Sequence, residues 1–197
     1  MGLRCLIVFF VLTICAAGCA PMQQRVDLTY ERVVNASGGS GEIYIAQPMA
    51  RYSEKPLTPG KQVLGKSAEE DIFTLNDPLY WLFSALAEEL SAAGYKVKTC
   101  QDLPDNVSKG VKASIVKLSA SQSFNILTVS TIAEVKLEAQ VFKKGRLSKT
   151  LFAGARDEYE GVERSSEPIR LSLEKTLQGS LQQLIPDIIK NLEWGAF

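Results

Sequence analysis

Cys19 closes the run Leu12-Thr13-Ile14-Cys15-Ala16-Ala17-Gly18-Cys19 and is the residue whose type and setting most directly promise chemistry, because its thiol can be acylated. The other candidates are weaker. Asp157, Glu158, Glu160 and Glu163 form the densest set of carboxylates. A hard cation needs several oxygens converging at once, and this run lacks the Gly-punctuated loop that would fold them together, so it reads as a solvated turn at a strand end. Glycoside cleavage by paired carboxylates would call for a substrate-binding aromatic cluster, which does not accompany them. Ser37-Gly38-Gly39-Ser40-Gly41 lacks the Lys-Ser/Thr and the strand-before, helix-after setting of a phosphate loop. The sequence has no histidine, which removes the commonest general base and the commonest metal ligand together. A serine nucleophile would then need a lysine partner, and no Ser-x-x-Lys motif stands in a plausible site. The inventory predicts no catalytic residue, no metal, no cofactor and no enzymatic activity.

Around Cys19 the chain has the layout of an export signal. One basic residue, Arg4, precedes an apolar stretch from Cys5 to Ala17, which is followed by small residues and then a polar, Pro-containing segment. The stretch is shorter than the ~20 apolar residues that span a bilayer. Ala16-Ala17-Gly18-Cys19 resembles the lipobox of bacterial lipoproteins, with Ala16 where Leu is usual. The same small residues also satisfy the small-x-small rule of the general signal peptidase. Myristoylation at Gly2 is excluded by Leu6, which stands where Ser or Thr is required. The lipobox resemblance implies cleavage before Cys19, so that residues 1–18 are a signal peptide and Cys19 carries two or three acyl chains such as palmitate. At about 0.8 kcal/mol per buried methylene, that anchors the chain stably to a membrane. Ala20 follows the cysteine where inner-membrane lipoproteins of Gram-negative bacteria carry Asp. The resemblance therefore implies the outer membrane, on its periplasmic side.

Composition narrows the partners. Loss of Arg4 with the signal takes the basic count from 22 to 21 against 22 acidic residues, a near-neutral balance that gives no electrostatic case for nucleic acid or anionic headgroups. About 180 residues would remain, enough for one domain with a real core. Cys5 and Cys15 would leave and Cys19 would be acylated, so Cys100 is alone in an oxidising compartment; a buried thiol is favoured over an intermolecular bridge. Tyr80 and Trp81 fall off the apolar stripe of a helix, and Trp194 and Phe197 lie in the C-terminal tail. These aromatics suit a partner surface and equally suit domain edges tucked against the core.

The elements that position these residues follow from periodicity. Residues 19–40 read as a flexible tether, with an average span of roughly 25 Å, and residues 41–197 as a single α+β domain. Glu42–Gln47 is the first expected strand, and a short strand is expected near Gln62–Leu64 within the long Pro48–Leu75 connection. Asn76 or Asp77 caps a helix with Pro78 in its first turn; Leu79, Leu82, Phe83, Leu86, Leu90 and Ala93 form its stripe and Gly94 ends it. Strands follow at Tyr95–Cys100 and Val111–Ala120, the latter switching phase near Ile115–Val116 as a bulge would require. From Leu127 to Val141 odd positions are apolar, or the small Thr131, and Glu134, Lys136, Glu138 and Gln140 oppose them, which predicts a sheet with one wet face. A three-residue loop Lys143-Lys144-Gly145 would pair Leu137 with Leu151 and Ala133 with Ala155. Ser165 or Ser166 opens the last helix, whose stripe is Ile169, Leu173, Leu177, Leu181, Leu184, Ile188 and Leu192, with a kink or break at Pro186. The sum is an antiparallel sheet of about five strands with two helices packed on one face.

With these elements placed, the chain resembles the YajG family of bacterial lipoproteins from Glu42 to about Leu192. The resemblance rests on the lipobox cysteine, Ile43-Tyr44-Ile45, Arg51, the helix end Leu86-Ala87-Glu88-Glu89-Leu90-Ser91-Ala92-Ala93-Gly94-Tyr95 and the long alternating strand. The element order is similar to the N-terminal domain of TolB and to auxiliary lipoproteins of ABC-type lipid transporters. The expected role is a non-enzymatic envelope protein that binds a protein partner or assembles with itself. The alternative is an auxiliary lipoprotein of a transport system, holding a lipid or small ligand between helices and sheet.

Overall fold

The computed structural model describes residues 24–47, 59–64 and 68–194. Cys19 and Phe197 lie outside the described residues, as does Arg51. The strands are β1 (Arg25–Val26), β2 (Glu42–Ala46), β3 (Gly60–Leu64), β4 (Ala68–Thr74), β5 (Lys96–Cys100), β6 (Lys109–Phe124), β7 (Val129–Lys143) and β8 (Arg146–Gly161). Helix α1 spans Pro78–Ala92 and α2 Glu167–Ile189, followed by a π-helical turn at Lys190–Trp194.

The fold is α+β with both helices on one face, but the sheet is eight-stranded and mixed, which corrects the expected antiparallel sheet of about five strands. The long meander β6–β7–β8 is antiparallel, as the alternation implies. On the other edge of β6, two strands add in parallel: β2 beside Gly110–Lys112 and β3 beside Ala120–Ser123. Beyond β2 lies β5, also parallel; beyond β3 lies β4, antiparallel, and then β1, parallel to β4. Apolar periodicity records which face a strand buries and carries nothing about its partner's direction, so the parallel pairs left no trace in the pattern.

The bulge expected near Ile115–Val116 is present, with Val116 as the extra residue between the pairs Ile115↔Leu137 and Lys117↔Lys136. It lies between the β2 and β3 contacts, where an added residue increases the local twist and switches the buried side from Val111 and Ala113 to Ala120 and Gln122.

The β7–β8 hairpin differs from its expected register. Lys144 (φ 52°) and Gly145 (φ 73°) both adopt the left-handed conformation of a two-residue turn, and Lys143 faces Arg146. Ser148 is then skipped, and the shift pairs Ala139 with Leu151, Leu137 with Ala153 and Val135 with Ala155. The turn keeps its preferred geometry, and the bulge returns the apolar residues to one face.

Both helices start and pack as their sequences imply. Asp77 Oδ1 accepts from the Leu79 N–H at 2.8 Å, Pro78 follows, and Gly94 (φ 109°) leaves the helix. For α2, Ser165 Oγ accepts from the Glu167 N–H at 3.2 Å. All seven predicted stripe residues of the last helical segment are buried. The helix is not broken at Pro186; it runs to Ile189 and widens into the π turn. Ser172, Thr176, Gly179 and Ser180 keep the α2 surface small against β7 and β8, with Ser180 Oγ donating to the Thr176 carbonyl at 2.8 Å and lying 3.3 Å from that of Val135.

The segment expected as a free tether is, from residue 24 onward, a strap laid across both helices. Val26, Leu28 and Val34 are buried in the core. The Leu28 N–H donates to Asn76 Oδ1 at 2.8 Å and Asn76 Nδ2 returns a bond to the Leu28 carbonyl at 2.7 Å. Gln178 on α2 donates to the Glu31 carbonyl at 2.8 Å, and the Gly39 N–H donates to the Ala93 carbonyl at 3.0 Å. Alternating Val26, Leu28 and Tyr30 give the strap an apolar side that the helices cover.

Candidate functional site

The wet face of the sheet carries the candidate site. On it β7 presents Glu134, Lys136 and Glu138; Lys117 from β6 and Lys136 both pair with Glu134, the latter at 3.0 Å. Hydrogen bonding from Lys117 first, and then from Lys136, holds the Glu134 carboxyl below the ordinary carboxylate value. The lysine charges are thus partly compensated in place. Two apolar side chains flank this ionic cluster: Val116, thrown outward by the bulge, and Phe152 on β8, which is 71% exposed. With Gly154, Arg156 and Gln183 they border an open concavity of about 470 Å³. Gly154 opposes Lys136 and leaves room for its stem: a Cβ there would sit 3.1 Å from Lys136 Cγ.

This face adjoins the edge of the sheet. Among the described residues, strand β8 is paired on its β7 side alone, so its other edge offers backbone groups for pairing. Gln183 from α2 covers part of that edge by donating to the Gly154 carbonyl at 3.2 Å. An exposed aromatic, an arginine and a strand edge around a compensated ionic cluster suit recognition of another polypeptide.

The residues singled out from sequence are dispersed. Tyr80 is exposed near the start of α1. Trp81, expected off the buried stripe as a partner-surface residue, is only 4% exposed: the strap covers it, and its indole N–H donates to the Thr29 carbonyl at 2.7 Å. Trp194 is exposed beside Gly38, at the opposite end of α1 from Tyr80. Tyr80 and Trp194 therefore do not form one patch. Cys100 is half-buried, its thiol 3.7 Å from the Ile45 carbonyl, and burial, then Asp102, push its pKa up. Of the carboxylate run, Asp157 accepts from Ser172 Oγ at 2.7 Å under α2, and Glu158 and Glu160 are exposed along β8, so strand alternation separates them.

Two polar centres went unrecognised in the sequence. Glu89, 1% exposed, accepts through Oε1 from the Tyr30 hydroxyl and from the N–H groups of Val33 and Val34 at 3.0 and 3.2 Å, pinning the strap to α1. Burial first, and then the hydrogen bond to Glu89, push the Tyr30 pKa far up and keep its hydroxyl protonated. At the far end, Glu193 of the π turn pairs with Lys109 at 2.6 Å and accepts from Ser40 Oγ at 3.1 Å. Burial raises the Glu193 pKa, and hydrogen bonding from Lys109 and Ser40 helps to outweigh it, leaving a net lowering. The Ser37–Gly41 segment is thereby held on the domain. Helical phase puts Glu89, three positions after Leu86, at the margin of the apolar stripe and Glu88 on the opposite side, but no residue pattern announces the strap groups that Glu89 binds.

The space beneath α1, lined by Ile45, Leu79, Leu82, Phe83, Leu86 and Ala113, has no room for a water molecule. Among the described residues, no helix is long and apolar enough to cross a membrane, and no group of three or more acidic or Cys side chains is placed to hold a metal ion.

No family model and no curated protein matches the chain. Among solved structures, protein XCC0632 of Xanthomonas campestris, assigned to the DUF330 family, is similar with a TM-score of 0.58 and 10% identity, covering 85% of this chain and 96% of that one. A minor lipoprotein from Acinetobacter baumannii matches at a TM-score of 0.45 and 11% identity over 76% of this chain and 91% of its own. The protein CT253 of Chlamydia trachomatis gives a TM-score of 0.36 and 9% identity over 78% and 99%. The similarity to the Xanthomonas protein establishes a shared fold.

Proposed function

We propose that this chain is a non-enzymatic lipoprotein of the bacterial envelope, anchored through Cys19 and working by presenting its wet sheet face to another protein or to a second copy of itself. The observation that carries the binding role is the exposed pair Phe152 and Val116 around the Glu134 ion pairs, beside the open β8 edge. The lipobox resemblance at Ala16–Cys19 supports the anchor, and Ala20 supports the periplasmic side of the outer membrane. The resemblance to YajG lipoproteins agrees with both. The closed interior beneath α1 counts against the alternative of a lipid or small ligand held between helices and sheet.

A photoreactive residue at position 152 tests the binding role in living cells. An adduct of defined mass, absent when the probe is moved to exposed Thr29 on the strap, is the expected result. Recovery of monomer alone from position 152 would overturn the proposal.

A further inference from the structure

The β6–β7 turn has the wrong chemistry for a turn. Phe124 pairs with Val129, and the Asn125 N–H donates to the Thr128 carbonyl at 2.8 Å, so Ile126 and Leu127 occupy the tip. Such positions favour Asn, Gly, Asp or Ser, whose side chains or backbone freedom serve the turn itself. Here two large apolar side chains stand 91% and 79% exposed, and Val162, next to the end of β8, adds a third at 79%. Among the described residues, none is buried against them. Arg164 braces the turn by donating to the Ile126 carbonyl at 3.1 Å, with the Asn125 carbonyl at 3.4 Å, and the oppositely charged Glu163 precedes it in sequence.

The path of the chain says what this tip faces. Strand β1 enters from the side of the Ile126–Leu127 turn: Arg25 pairs with Phe73 and Val26 with Thr74, while Ile72 pairs with Gly60 and Gly60 with Ala120. Gln24 thus lies level with Ala120. At about 3.4 Å per residue, Phe124 is some 14 Å from that level in one direction and Lys109 about 37 Å in the other. Cys19 precedes Gln24 by five positions, which reach at most about 17 Å when fully extended. A lipid on Cys19 can therefore reach the level of the apolar turn but falls about 20 Å short of the Lys109 level and of the Lys144–Gly145 end.

We propose that the Ile126–Leu127 turn, with Val162 beside it, dips into the membrane to which the chain is anchored, so that the domain stands on this end with its Lys109–Glu193 end outward. This rests on the reading of Cys19 as the lipidated residue. Apolar side chains, and not charge, would provide the contact, consistent with the adjoining Arg164 and Glu163.

The test uses the full mature protein purified with its native N-terminus and reconstituted in vesicles of phosphatidylethanolamine and phosphatidylglycerol. A nitrobenzoxadiazole label is placed at Leu127→Cys or, as control, at Arg146→Cys, each in a Cys100→Ser background. The expected result is a blue-shifted emission, several-fold stronger than that in detergent-free buffer and quenched by spin-labelled lipid, at position 127 and not at 146. An acylated protein whose label at 127 stays as wet as that at 146, or crosslinks to protein instead of being quenched by lipid, would overturn this inference while leaving the anchor intact. A mass showing an unmodified Cys19 would overturn the anchor and this inference together.

Discussion

Glu89 does for the strap what a backbone partner would do in a sheet. Its Oε1 serves one hydroxyl and two backbone N–H groups in a buried site. Glu89→Ala would leave those donors buried without an acceptor and should cost about 3 kcal/mol, read as a lower urea midpoint together with new protease cleavage between residues 30 and 40. Trp81→Phe removes the bond to the Thr29 carbonyl and should cost about 1 kcal/mol. It should also abolish the blue component of tryptophan emission, leaving the red-shifted emission of exposed Trp194. Titration should show both limbs. Glu193, whose pKa is lowered by folding, contributes stability that is complete above its ordinary value of 4.5 and lost as pH falls below it. Tyr30, whose pKa is raised, contributes stability that is complete below its ordinary value of 10.0 and lost as pH rises beyond it. Melting temperatures measured across pH should fall at both extremes, with the acid limb shallower in Glu193→Gln and the alkaline limb shallower in Tyr30→Phe.

The elements divide by what periodicity can record. Both helix stripes, the α1 cap, the β6 bulge and the wet face of β7 were legible because each is a statement about which side of an element meets the core. The parallel placement of β2 and β3 along one edge of β6 was not, since no residue pattern encodes a neighbour's direction. The strap was legible in part: Val26, Leu28 and Tyr30 alternate as a half-buried extended segment does, but the Gly- and Ser-rich stretch after Asn35 suggested a linker. Phe152 stood visibly out of phase with Leu151 and Ala153, yet its role depends on Val116, which only the bulge brings outward. Gly60 is the most tightly enclosed of the described glycines: a Cβ there would lie 1.6 Å from the Ala120 carbonyl oxygen. Gly60→Ala should therefore part β3 from β6 and loosen β4 with it. Faster amide exchange across Asp71–Thr74, with α2 unchanged, is the expected signature.

At the scale of the whole molecule, the fold has two unlike ends and one open face. One end holds the entry of β1 and the apolar Ile126–Leu127 turn; the other holds the Lys109–Glu193 pair and the Lys144–Gly145 hairpin. Between them lies the wet face of β6, β7 and β8, the proposed partner surface. This arrangement gives a lipid anchor on Cys19 a mechanical consequence, because the strap consumes most of the segment that sequence alone assigns to a tether. With the proposed anchor, a domain joined to its lipid by so short a connection would be held close to the membrane and would present its sheet face at a set height. Everything in that account hangs on Cys19. Fractionation of cells expressing the full chain and its Cys19→Ala variant measures it most directly. The account predicts that the full chain stays with the membranes through high-salt washes and that Cys19→Ala moves to the soluble fraction; a variant that remains as firmly bound would contradict it.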